Sequence, residues 1–120
     1  MTNDAFNQIV KNVMNKCGNT LIKKGKEYSA DNEDRLVNFK RGAGLTGETP
    51  EKVASDYMLK HIVSIYDLIE RGITDEAIWD EKCGDAINYL ILIRAIIAEK
   101  NEGKTPAVPE KPAVKTDPAK

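Results

Sequence analysis

The chain has 120 residues, enough for one compact domain with a real core. Its 18 basic and 19 acidic side chains leave a net charge of −1. That balance excludes the global basic field of a general nucleic-acid binder and the acidic excess of a wholly disordered chain. Cys17 and Cys83 are far apart among apolar helical positions, so they read as small core hydrophobes of a reducing cytoplasm, not as a disulfide framework. With a single histidine beside them, they lack the ligand spacing of a zinc site. The polar, acidic start (Met1, Thr2, Asn3, Asp4) is the reverse of a signal peptide. The apolar run 86–98 is too short to span a bilayer and carries Arg94. The expectation is a cytoplasmic protein with no membrane partner.

In chain order, residues 4 to 25 form an amphipathic helix: Phe6, Ile9, Val10, Val13, Met14, Cys17 and Leu21 recur at three- and four-residue steps. Asn3 or Asp4 caps its start. A glycine-punctuated, charged segment follows. Within it a short helix is predicted over Asn32–Arg41, with Leu36 and Phe39 inward and Gly42-Ala43-Gly44 as its stop. Thr49-Pro50-Glu51 is a strong helix start, because Thr caps, Pro fits the first helical position and Glu suits the positive end. That helix runs to Arg71 and stops at Gly72. Thr74 or Asp75 caps the last helix, which reaches Lys100, with Trp79 marking a bend or a packing anchor. From Asn101 onward Pro106, Pro109, Pro112 and Pro118 alternate with Ala, Lys and Glu, and a disordered tail is expected over 101–120. The fold class predicted is all-α: a compact bundle of three long helices and a short one over 1–100.

Three constellations carry chemistry. Glu81 and Asp85 lie four apart at the mouth of an apolar helix, and Asn88 joins their face. Oxygen ligands at that spacing suit Mg²⁺, whereas a solvated first turn favoured by the helix dipole explains them without a ligand. Second, Arg35, Asn38, Lys40 and Arg41 suit phosphate, and Tyr28 or Phe39 suits a base. The plainer account is a charged connector whose aromatics are core anchors. Third, Lys60-His61 offers a general base or a phosphate donor. Against this, Asp56 stands four before Lys60 and suits a surface ion pair.

Four blocks in order then resemble small all-α proteins of tailed phages: Lys24-Gly25-Lys26-Glu27-Tyr28, Asp34-Arg35-Leu36-Val37-Asn38-Phe39-Lys40, Lys60-His61 through Asp67, and Glu81-Lys82-Cys83-Gly84-Asp85-Ala86-Ile87-Asn88-Tyr89. The chain resembles the nucleotide-modification-associated domain group and, more distantly, MazG-like NTP pyrophosphatases. The resemblance spans roughly residues 20–99 and is carried best by Glu81-x-x-Gly84-Asp85. It implies Mg²⁺ as cofactor on Glu81 and Asp85. It also implies a host-cytoplasmic location and a nucleotide or nucleotide-derived ligand held by Lys26, Tyr28, Arg35, Asn38, Phe39, Lys40, Lys60, His61 and Asn88. The family's second motif, clustered Glu on a preceding helix, is missing: Asp56, Asp67 and Glu70 lack its pattern.

Three functions follow as expectations. One is Mg²⁺-dependent nucleoside-triphosphate pyrophosphohydrolysis. Another is non-catalytic sequestration of a signalling nucleotide made by host defence. A third is an oligomeric protein-interaction module. A homo-oligomer is expected in each case, because Leu90, Ile91, Leu92, Ile93, Ile96 and Ile97 surround their helix and need cover on all sides.

Overall fold

The computed structural model describes residues 1–28 and 34–102, the Tyr28 side chain excepted. Among the described residues there are four helices and no strand: α1 (Asn3–Tyr28), α2 (Val37–Thr46), α3 (Pro50–Glu70) and α4 (Glu76–Lys100). The all-α expectation holds. None of these helices is long and apolar enough to cross a membrane. The predicted tail lies outside the described residues from 103 onward, as do Asn32 and Glu33 of the predicted short helix.

Helix ends follow capping chemistry. At α1 the cap is Thr2, whose Oγ1 accepts the Ala5 N–H at 3.1 Å, and not Asn3 or Asp4, which are already helical. Asp34 Oδ1 accepts the Leu36 N–H at 3.0 Å and turns the chain into α2. The predicted stop at Gly42-Ala43-Gly44 is overturned: α2 runs through both glycines to Thr46, and Gly47, at φ 73°, ends it. Gly42 serves a different purpose. A Cβ there would come within 3.0 Å of Val53 Cγ1, so its bareness lets α2 approach α3.

Thr49 caps α3 by accepting the Lys52 N–H at 3.2 Å, with Pro50 in the first turn. Its far end closes through Gly72 at φ 67°: Gly72 N–H donates to Ile69 O and Ile73 N–H to Leu68 O, the Schellman pattern. Asp75 caps α4 through the Ile78 N–H at 3.2 Å. Trp79 Nε1 donates to Ile73 O at 2.6 Å and locks the α3–α4 corner, so Trp79 is the anchor.

The core sits where α2 meets the start of α3 and the end of α4. Leu36, Phe39, Ala43, Val53, Ala54 and Ile96 are buried there, with Tyr89, Leu92 and Ile93 packed against them. Helices α3 and α4 run antiparallel: Lys100 pairs with Glu51 at one end, and His61 meets Tyr89 further along. Helix α1 touches α4 through its second half. Cys17 Sγ lies 3.9 Å from Gly84 O, and Lys16 pairs with Asp80 at 2.8 Å. The N-terminal half of α1 leaves Phe6, Ile9, Val10 and Met14 exposed.

Candidate functional site

Helices α2, α3 and α4 pack around one small core, α1 lies against α4, and a cleft remains where the four do not fill the space. Its volume is about 730 Å³, and every described helix contributes to its wall. From α1 come Thr20, Leu21 and Lys24; from α2 and its approach come Arg35, Asn38, Phe39, Arg41, Gly42 and Leu45. Helix α3 gives Tyr57, Lys60 and His61, and α4 gives Glu81, Asp85, Asn88, Tyr89 and Leu92. The apolar wall is thus the back of the core, and the polar wall is the rim.

Of the site residues named from sequence, Arg35, Asn38, Phe39, Lys60, His61, Glu81, Asp85 and Asn88 converge on this cleft. Lys26 and Lys40 do not line it. The Tyr28 side chain lies outside the described residues. Lys40 is held on the outside by Asp34 at 2.6 Å and Glu99 at 2.8 Å, a strut from α2 to α4. The hydrogen bond that Lys40 donates to Asp34 raises the ammonium's pKa; reciprocally, that bond and the Leu36 N–H hold Asp34 below the usual carboxylate range. Phe39 is a core side chain before it is anything else, with its ring 6.2 Å from that of Tyr57. Tyr57 is half exposed and offers the more accessible aromatic face.

Lys60 is not spent on Asp56. That carboxylate is taken by Lys52 at 2.6 Å, one helical turn earlier, which leaves the Lys60 ammonium open at the cleft. Arg35 is partly committed. Its Nη2 donates to Leu21 O at 3.4 Å, and its side chain crosses Gly25, where a Cβ would meet Nε at 2.8 Å. Thus Arg35 pins the second half of α1 to the start of α2 while it lines the cleft.

His61 is fixed on two sides. Its Nδ1 stands 3.4 Å from Asp85 Oδ2, and its ring stacks on Tyr89 with centroids 5.4 Å apart and 27° between planes. An imidazole oriented in this way keeps Nε2 for another partner. Asn88 has a buried Oδ1 with no hydrogen-bond partner among the described residues. The chain matches no family model, no curated protein and no solved structure.

The chemistry therefore rests on the cleft itself. Among the described lining residues, Lys24, Arg35, Arg41 and Lys60 outnumber the acids Glu81 and Asp85, a local positive balance on a chain of net charge −1. Such a concave surface favours an anion. The Tyr57 ring and the His61–Tyr89 stack supply planar faces for a heterocycle. Among the described residues no cluster of three or more His, Cys, Asp or Glu side chains forms a closed metal cage. A pair of carboxylates one turn apart nevertheless fits Mg²⁺, which commonly takes one or two carboxylates and completes its shell with water and substrate phosphate.

Sequence patterns name Arg41 as a phosphate donor and give Lys24, Tyr57 and Tyr89 no ligand role. Lys24, Tyr57 and Tyr89 are the principal lining residues outside the predicted site. Helical spacing marks the tyrosines as inward-facing, and a cleft wall is inward-facing too, so periodicity does not separate the two.

Proposed function

We infer that the chain binds a nucleotide or a nucleotide-derived ligand in this cleft, where Glu81 and Asp85 would hold Mg²⁺ and the ion would offset phosphate charge. What carries the inference is a single juxtaposition: open cations, aromatic faces and a carboxylate pair line one cavity of about 730 Å³. Phosphate needs Arg or Lys, a base needs a π-face, and Mg²⁺ needs carboxylate oxygen. Arg35, Arg41 and Lys60 meet the phosphates, Tyr57 or Tyr89 the base, and Asn88 a polar edge.

Retention is favoured over turnover. The carboxylates lining the cleft among the described residues are the Glu81–Asp85 pair. Two-metal phosphoryl chemistry places a second cation about 4 Å from the first, and that requires further acids. Holding a ligand intact suits a protein that sequesters a nucleotide.

The test incubates the full chain with a panel of nucleotides and Mg²⁺, then weighs bound and released species by mass spectrometry. Intact ligand on the protein is the expected result. Released monophosphate with pyrophosphate would replace sequestration by hydrolysis, and a panel with no bound member rejects the nucleotide itself.

A further inference from the structure

The cavity does not end among the four helices. A second one, of about 470 Å³, follows the crevice between α1 and α4 and shares Thr20, Lys24, Glu81, Asp85 and Asn88 with the first. These five side chains form a throat. On one side lies the chamber already described; on the other lies a groove bounded by Val13, Lys16, Asn19 and Asp80.

The two halves differ in chemistry. Arg35, Arg41 and Lys60, cations with no carboxylate partner among the described residues, all belong to the chamber. The groove's own cation, Lys16, is closed on Asp80 at 2.8 Å. No aromatic ring lines the groove among the described residues, whereas the chamber has four aromatic or imidazole rings in its wall besides its phosphate donors: Phe39, Tyr57, His61 and Tyr89. What the groove offers is the amide of Asn19, the hydroxyl of Thr20 at the throat, a closed ion pair, and the apolar Val13. Phosphate and base therefore belong in the chamber. Neutral groups that both donate and accept hydrogen bonds belong in the groove. Asn88 stands at the junction, and its Oδ1 has no bond to lose among the described residues when the amide turns to a ligand hydroxyl.

We propose that chamber and groove together take a nucleotide whose phosphate carries a neutral, hydroxyl-rich group such as a sugar, with the nucleotide in the chamber and the sugar along α1 and α4. The proposal rests on the nucleotide reading above and narrows it to one chemical class. A bare polyphosphate tail gains little from the groove, whose own cation, Lys16, is closed on Asp80.

Calorimetric titration with Mg²⁺ uses matched pairs: ADP with ADP-ribose, UDP with UDP-glucose, and GDP with GDP-mannose. For whichever base binds, the sugar-bearing member is expected to bind about tenfold tighter, the worth of one or two net hydrogen bonds. Asn19 is exposed and lines the groove alone, so Asn19→Trp fills the groove without touching the chamber. That variant should erase the tenfold difference and leave the diphosphate affinity unchanged, with circular dichroism equal to the parent. Equal or weaker binding of the sugar-bearing member overturns the proposal and leaves the nucleotide reading standing, and so does a preference that survives Asn19→Trp. If no member of any pair binds, both fall together.

Discussion

At the scale of single residues, the cleft separates side chains that are free to bind from side chains already at work. Lys60 is the cleanest probe, because it is exposed and Asp56 is occupied by Lys52. Lys60→Ala should weaken nucleotide binding about tenfold, an ordinary loss for a charge-assisted hydrogen bond, and leave the melting temperature within a degree or two of the parent. Arg35→Ala should weaken binding and lower stability together, since Arg35 also bonds Leu21 O and packs across Gly25. Asp85→Asn discriminates between two roles. If Asp85 holds Mg²⁺, calorimetry will show a loss confined to titrations containing Mg²⁺. A loss of the same size with and without the ion means that Asp85 acts through His61 instead.

Asp34 gives a pH signature. Its carboxyl titrates below the usual range because Lys40 and the Leu36 N–H bond the charged form. A group whose folded pKa is depressed contributes its stability above the unfolded value, and that contribution fades as pH falls through the ordinary carboxylate range toward the folded value. Asp34→Asn should therefore cost up to about 1 kcal/mol near neutrality, the scale of a solvent-facing pair. Thermal melts of parent and variant should converge at the acid end. A gap that persists to low pH would assign the effect to the turn rather than to the charge.

At the scale of elements, two glycines of α2 make a controlled pair. Gly44 has nothing within 4 Å of the place a Cβ would occupy, and it sits inside a helix. Gly44→Ala should thus stabilise the fold by about 0.5–1 kcal/mol, the usual gain from removing an interior glycine. Gly42→Ala should forfeit that gain, because its new methyl must displace Val53. Equal stabilisation in urea melts would remove the close-approach account of Gly42. The same pair marks the limit of what a sequence discloses. Thr49-Pro50 and Asp75 announced their helices because capping is local chemistry. The glycines of α2 announced a stop because their partner, Val53, is a contact in space that local pattern does not contain. Blocks around Arg35, Lys60 and Asp85 were legible as charged islands on apolar helices, and the fold brings them together. Lys40 was equally conspicuous, yet its neighbours Asp34 and Glu99 hold it on the outer surface.

At the scale of the whole molecule, the described residues leave much apolar surface uncovered. Its radius of gyration is 17.4 Å, where a compact domain near 100 residues has about 13 Å. Helix α1 leaves Phe6 57% and Met14 49% exposed; α3 leaves Leu59 58%, Val63 57% and Tyr66 68% exposed. Surfaces of that kind normally meet another protein. We expect a homo-oligomer by size-exclusion with light scattering, and a clean monomer at micromolar concentration rejects it. Ile93 packs against the chain's own core, so Ile93→Asp should unfold the chain. Val63→Asp, on the exposed face of α3, should dissociate the assembly while the helical circular dichroism persists.

The bond from the Trp79 indole to Ile73 O also gives the molecule an optical label. Trp79 is the only tryptophan of the chain, it is partly shielded at the corner between α3 and α4, and it stands two residues before Glu81. Its emission will report the integrity of that corner with no dye attached. A ligand that fills the cleft and draws in the start of α4 will shift the emission maximum, whereas one that stays on the α2 side will leave the spectrum unchanged. A titration followed by eye of the fluorimeter alone thus tells which wall of the cleft a compound has reached.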